Sequence, residues 1–189
     1  MNRLKNLLLM MILFGLHGCF STSSSYYILS VASTPSQTYI MRNKVIGVAK
    51  ISVPAYLYKR DIAIAKSSNE ITLLGNARWG EDLDTGLTNR LIEFLQKKFN
   101  QPNVYPYPWG IDKQPNIKVS VQITRFIAQG DSVYLEATWN LENMKTRRKK
   151  ARLFSTRVDT KSDIRSVVFA MNKAFMEFEE AVAWGIKRF

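Results

Sequence analysis

Apolar and polar residues alternate along NIKVSVQITRFIAQ, residues 116–129, so that Ile117, Val119, Val121 and Ile123 share one face. A period of two is the mark of a half-buried strand. Gly130-Asp131 turns the chain. Residues 132–143 then alternate again, with Val133, Leu135, Ala137, Trp139 and Leu141 on one face. RLFSTRV, residues 152–158, predicts a third strand of the same meander. Upstream, YYILSV (26–31) reads as a first strand, followed by a loop through residue 43. KVIGVAKISV (44–53) is rich in valine and isoleucine and predicts a long strand ended by Pro54. DIAIAK (61–66) and EITLLG (70–75) predict two more, joined through polar, turn-forming residues.

Two segments change period. Over residues 80–99, Leu83, Leu87, Leu91 and Leu95 recur every four residues, and Ile92 and Phe99 widen the stripe. Glu81, Asp82 and Asp84 at the start, and Lys97 and Lys98 at the end, complement the dipole of a helix. Ile164, Val168, Met171, Phe175, Phe178 and Val182 give a second helix over 162–187, with Thr160 and Asp163 as a start of capping-box type. Its spacing also suits a coiled coil, but three heptads are barely enough, and a helix laid on a sheet is the better reading. Between the helices, residues 101–115 carry Pro102, Pro106, Pro108 and Pro115, which predicts no regular element. Strands, helix, strands, helix need one sheet with both helices on one face. The expectation is an α/β single domain: a mixed, mostly antiparallel β-sheet packed against two long α-helices.

The first 18 residues differ from the rest. Arg3 and Lys5 precede ten uncharged apolar residues, Leu7 to Leu16. That is half the length a bilayer-spanning helix needs, and it fits the apolar part of an export signal. Leu16-His17-Gly18-Cys19 then resembles a lipobox, with His17 where a small or β-branched residue is usual. Two readings of Cys19 follow: a lipid-anchored N-terminus after cleavage, or a chance cysteine in an ordinary signal or uncleaved anchor. The flanks favour the lipid. The expected division is a lipoprotein signal peptide (1–18), a lipidated cysteine with a short polar tether (19–25), and one domain (26–189).

Chemistry narrows further. The chain has 27 Lys+Arg against 15 Asp+Glu, a formal net charge of +12, so an anionic partner or surface is expected. For an exported protein that is anionic lipid or an acidic protein face, and no nucleic acid. His17 is the single histidine and Cys19 the single cysteine, and both belong to the signal and anchor. The expected domain therefore has no Cys/His catalysis, no Ser-His-Asp triad and no Cys/His metal site. No phosphate loop or dinucleotide fingerprint occurs. No enzyme, cofactor or metal is expected. Two stretches are candidates for a partner or anionic-lipid surface. KTRRKKAR (145–152) reads as a hairpin tip carrying Lys145, Arg147, Arg148, Lys149, Lys150 and Arg152. Its plainer reading is a solvated loop that keeps the protein soluble. Tyr105, Tyr107 and Trp109 alternate in the proline-rich segment. Their plainer reading, and the one expected, is a lid on the bottom of the core.

Several stretches, taken in order, resemble one family. YYIL after the lipobox, ISVPAYLYKRDIAI (51–64), ARWGEDLDTGLTNRLIEFL (77–95), and VSVQITRF followed by VYLEATWNL are similar to the ABC-type transport auxiliary lipoproteins of the paraquat-inducible outer-membrane type. The match runs over most of residues 26–142, and the last third agrees only in pattern. The resemblance implies a non-catalytic outer-membrane lipoprotein, on the periplasmic face, serving lipid transport between membranes. Its implied partners are an MCE-domain protein and an ABC transporter, with phospholipid and a homo-oligomer left open. Phe20 stands where an aspartate would signal inner-membrane retention, which by the same resemblance points to the outer membrane. The alternative is a structural or assembly lipoprotein docking on peptidoglycan or on an outer-membrane barrel protein.

Overall fold

The longest alternating stretch becomes the middle of the sheet. A computed structural model of the protein describes residues 24–29, 31–41, 43–108 and 114–189. Its strands are β1 (Ser25–Tyr27), β2 (Ile46–Ala49), β3 (Asp61–Ala65), β4 (Ile71–Trp79), β5 (Val104–Tyr107), β6 (Ile117–Gln129), β7 (Ser132–Asn143) and β8 (Lys149–Asp159). The helices are α1 (Leu83–Phe99), of 17 residues, and α2 (Ile164–Lys187), of 24. β6 pairs antiparallel with β7, and β7 with β8, along nearly their whole lengths. The turn between β6 and β7 opens with Gly130 at φ 61°, as a two-residue turn led by glycine requires.

On its other edge β6 has two parallel neighbours in succession. β2 lies beside Ile117–Val119, Ser52 bridges to Gln122, and β3 lies beside Ala128 and Gln129. Between them the chain leaves the sheet as a 3-10 turn, Ala55–Tyr58, entered from Pro54. β4 pairs antiparallel with β3, β1 parallel with β4, and β5 parallel with β2. The mixed sheet with two helices is thus as expected. Its antiparallel ladders are the long ones, and its four parallel pairings are short.

The strand expected over 26–31 is shortened to Ser25–Tyr27, the one expected over 70–75 runs on to Trp79, and the first helix starts at Leu83. Four further differences from the sequence expectation have a local reason. The predicted strand 44–53 breaks after Ala49, because Ile51 N–H donates to Thr88 Oγ1 of α1 (2.9 Å) and not to a strand. Residues 101–115 do contain a strand: β5 forms despite Pro106 because it sits at a sheet edge, where proline is tolerated. β8 begins at Lys149, so Lys149, Lys150 and Arg152 belong to a strand and only 144–148 form the tip. α2 starts one turn later than the capping-box reading implied. Asp163 alone caps it, accepting from Ser166 N–H (2.9 Å), while Thr160 bonds to Lys161 O.

The core lies between the sheet and one layer of helices. Leu83, Leu87, Leu91, Leu95 and Phe99 of α1 are buried, as are Val168, Met171, Phe175, Phe178 and Val182 of α2. α1 packs on β2 and β5, and α2 on β6, β7 and β8. A register shift between Ile123 and Arg125 switches the helix-facing positions of β6 from odd to even. Before it Val119, Val121 and Ile123 point to the helices. After it Phe126 and Ala128 do, and Phe126 stacks on Phe175 with ring centroids 6.3 Å apart. One bulge keeps both apolar sets inside.

Candidate functional site

The chain comes in at one end of the sheet and shows its charge at the other. β1 runs antiparallel to β6 and, followed through β4 and β3, lies level with about residue 125, in the second half of β6. The tip 144–148, the start of β6 and the last turn of α2 lie at the opposite end. By register, roughly 25 Å of strand separates the two levels.

Asn143 builds the cationic tip. Its side-chain oxygen accepts from the backbone N–H of Lys145 (3.0 Å) and Thr146 (2.9 Å), and Arg147 takes φ 60°. Arg147 pairs with Glu142 at 3.0 Å. Arg148 lies 4.5 Å over the Phe189 ring and donates to the Phe189 backbone oxygen. Two of the six cations therefore hold the tip to its own strand and to the end of α2. Lys145, Lys149, Lys150 and Arg152 have no ion-pair partner among the described residues.

Lys150 and Arg152 line a groove between β8 and α2 whose floor is Trp139, Phe154, Ala181 and Trp184, about 320 Å³ in volume. Arg188 stacks 4.5 Å over Trp184. Trp139 has room because Gly185 faces it; a Cβ there would land within the indole ring.

Tyr105 and Tyr107 do not close the core. Val104 turns inward from β5, while Tyr105 is 40% exposed and Tyr107 packs with Lys118, whose Nζ is 4.7 Å from the ring centre. Both tyrosines lie on the sheet face away from the helices. Trp109 and Cys19 lie outside the described residues. So the structure brings Lys150 and Arg152 together with apolar side chains, and places Tyr105 and Tyr107 elsewhere.

A second charged cluster escaped the sequence reading. Residues 31–41 run over the seam of α1 and α2 towards the cationic end. Arg90 (1% exposed side chain) bonds both oxygens of Glu179 (0%), at 3.1 and 3.2 Å, and also Leu29 O, Ser33 Oγ and Asn172. Further along, Lys98 meets Glu180 at 2.6 Å, and Glu180 accepts from Ser36 N–H and Oγ. Tyr39 N–H donates to Lys98 O, and its ring is covered by Lys98 and Lys187. Burial pushes the Glu179 carboxyl up to about 7, against the pull of Arg90. Burial would raise Glu180 too, but Lys98 and Ser36 outweigh it and hold its carboxyl below the ordinary range. The signal was present: Arg90 is spaced three from Leu87 and four from Phe94, and Glu179 four from Phe175, so both sit on apolar stripes. A lone charge there needs a partner of opposite sign.

Among the described residues no group of three or more His, Cys, Asp or Glu is placed to hold a metal. No helix among them is long and apolar enough to cross a membrane.

Solved structures show the same fold. The protein XCC0632 from Xanthomonas campestris superposes with a TM-score of 0.74 at 18% identity, over 86% of this chain and 94% of that one. A crystal structure described only as an uncharacterized protein gives 0.73 at 21% identity, over 87% of this chain and 99% of that one. No curated protein matches. The family described as the ABC-type transport auxiliary lipoprotein component matches over residues 27–183. That span takes in every strand and helix apart from the first two residues of β1 and the last four of α2, includes the Arg90–Glu179 clasp, and the chain therefore belongs to the ABC-type transport auxiliary lipoprotein family.

Proposed function

We propose that the protein is a non-catalytic docking subunit of an ABC-type transport system in the cell envelope. Lipid on Cys19 holds it to the periplasmic face of the outer membrane. Its far end receives a component reaching across from the inner membrane, an MCE-domain protein of a lipid transport system. The observation that carries the reading is the polarity of the domain. The chain comes in at one end through β1, and the cationic tip 144–148 with Lys149, Lys150 and Arg152 projects from the other. A tether of five residues after Cys19 reaches about 17 Å. The cations therefore face away from the membrane that holds the lipid, towards an acidic protein surface more than towards headgroups of that membrane.

In-cell cross-linking of a C-terminally tagged chain, followed by mass spectrometry, tests this. An MCE-domain protein or an ABC transporter subunit among the products is the expected result. Peptidoglycan fragments or a barrel protein, with no transport component, would leave a structural lipoprotein in its place.

A further inference from the structure

β8 is a free edge. Among the described residues it pairs with β7 alone, so one side of an eleven-residue strand presents unpaired backbone N–H and C=O groups. Such an edge is a template for another strand, and proteins guard it with charge. Cations at Lys149, Lys150, Arg152 and Arg157 would serve as that guard. They leave two observations unexplained. Leu153, in mid-strand, is 86% exposed, and Trp184 is 51% exposed above an apolar groove that runs beside the strand. A guarded edge has no need of an apolar side chain on each side of it.

We propose that β8 and the groove beside it take up an extended acidic segment of the partner protein as an added strand. This rests on the docking role proposed above and names the surface and the chemistry of the partner. Backbone pairing along β8 would supply affinity. Alternate apolar side chains would enter the groove over Trp139, Phe154, Ala181 and Trp184, and the others would cover Leu153. Acidic residues would meet Lys149, Lys150, Arg152 and Arg188. Charge selects this occupant over a second copy. In parallel register a second β8 sets four cations against themselves, and in antiparallel register only Asp159 answers them. Like charges directly opposite on paired strands are destabilising.

The test puts a photo-cross-linking residue at Leu153, or separately at Trp184, in the full lipidated chain in cells. Support is a cross-link to a stretch of a transport component in which acidic and apolar residues alternate. Its yield should fall by about tenfold in Lys150→Glu plus Arg152→Glu, whose positions at the groove rim leave the thermal melt unchanged. With purified protein, a synthetic peptide alternating glutamate and valine should slow hydrogen exchange at alternate amides of 149–159, and a lysine–valine peptide should not. Cross-links between two copies, equal protection by both peptides, or protection in the chain alone of the β8 amides that point away from β7 would each overturn the proposal. A transport component that co-purifies but cross-links only elsewhere also overturns it, and leaves the docking role standing. Absence of any transport component removes the docking role with it.

Discussion

Gly185 shows how narrow the tolerance is at single positions. Its missing side chain is the space that Trp139 occupies. Gly185→Ala should cost about 1–3 kcal/mol through overpacking, read as a lower urea midpoint with an unchanged slope. An unmoved midpoint would mean that the indole shifts freely. Glu179 carries a different prediction. Its folded pKa is raised from 4.5 to about 7, so between those values the folded chain holds a proton that the unfolded chain has lost. Stability from this group is complete below pH 4.5 and declines as pH rises through 7. Denaturation at pH 5 and pH 8 should therefore show a loss in the wild type that Glu179→Gln lacks. Glu180 runs the other way, since its pKa is lowered: its contribution is present above the ordinary carboxylate range and lost on acidification. Cys19 is tested by chemistry: labelled palmitate should enter the wild type and not Cys19→Ser. Equal labelling would return Cys19 to a chance residue.

At the scale of elements, the sequence was most readable where one face of a segment meets the core throughout. The leucine repeat of α1 and the alternation of β7 correspond position by position to buried side chains. It was least readable where the backbone bonds to something other than its neighbour in a regular element. The break after Ala49 depends on the Thr88 hydroxyl, 37 residues away, and no local pattern encodes that. β5 forms because β2 offers it an edge, against its own prolines. The bulge in β6 left a trace, since ITRFIA departs from alternation, but only the register with β7 shows which residue is extra. Deleting Thr124, the extra residue, should remove the bulge with Phe126 and Ala128 still facing the helices, because Arg125 alone then separates Ile123 from Phe126. That variant should keep its near-UV dichroism, whereas Phe126→Ala should cost about 3–5 kcal/mol. Loss of the signal on deleting Thr124 would show that the bend made by the bulge is itself required.

For the whole molecule, the family and the sheet-with-helices architecture were legible, because several motifs recur in order over most of the chain. The candidate site was legible only in part. Composition found the basic segment, but 145–152 is a tip followed by a strand, and its groove is made with Trp139 and Trp184, far away in sequence. The clasp between helices went unread because its two charges lie 89 residues apart. What the fold adds is direction: an end at which the chain enters through β1, and a charged end opposite it.

That direction has a mechanical consequence. With the proposed lipid on Cys19, any load would reach the domain through β1, which is held to β4 by three paired residues, Ser25 to Tyr27. A pull along that strand shears its bonds together and does not peel them one at a time. Behind β1 the chain is belayed at Leu29 and Ser33 by Arg90, at Ser36 by Glu180, and at Tyr39 by Lys98 and Lys187. A tug from a drifting membrane would be spent along this line of cleats, across the outside of the helices, before it strained β7 or β8. The surface offered to the partner can thus hold its shape while its mooring moves.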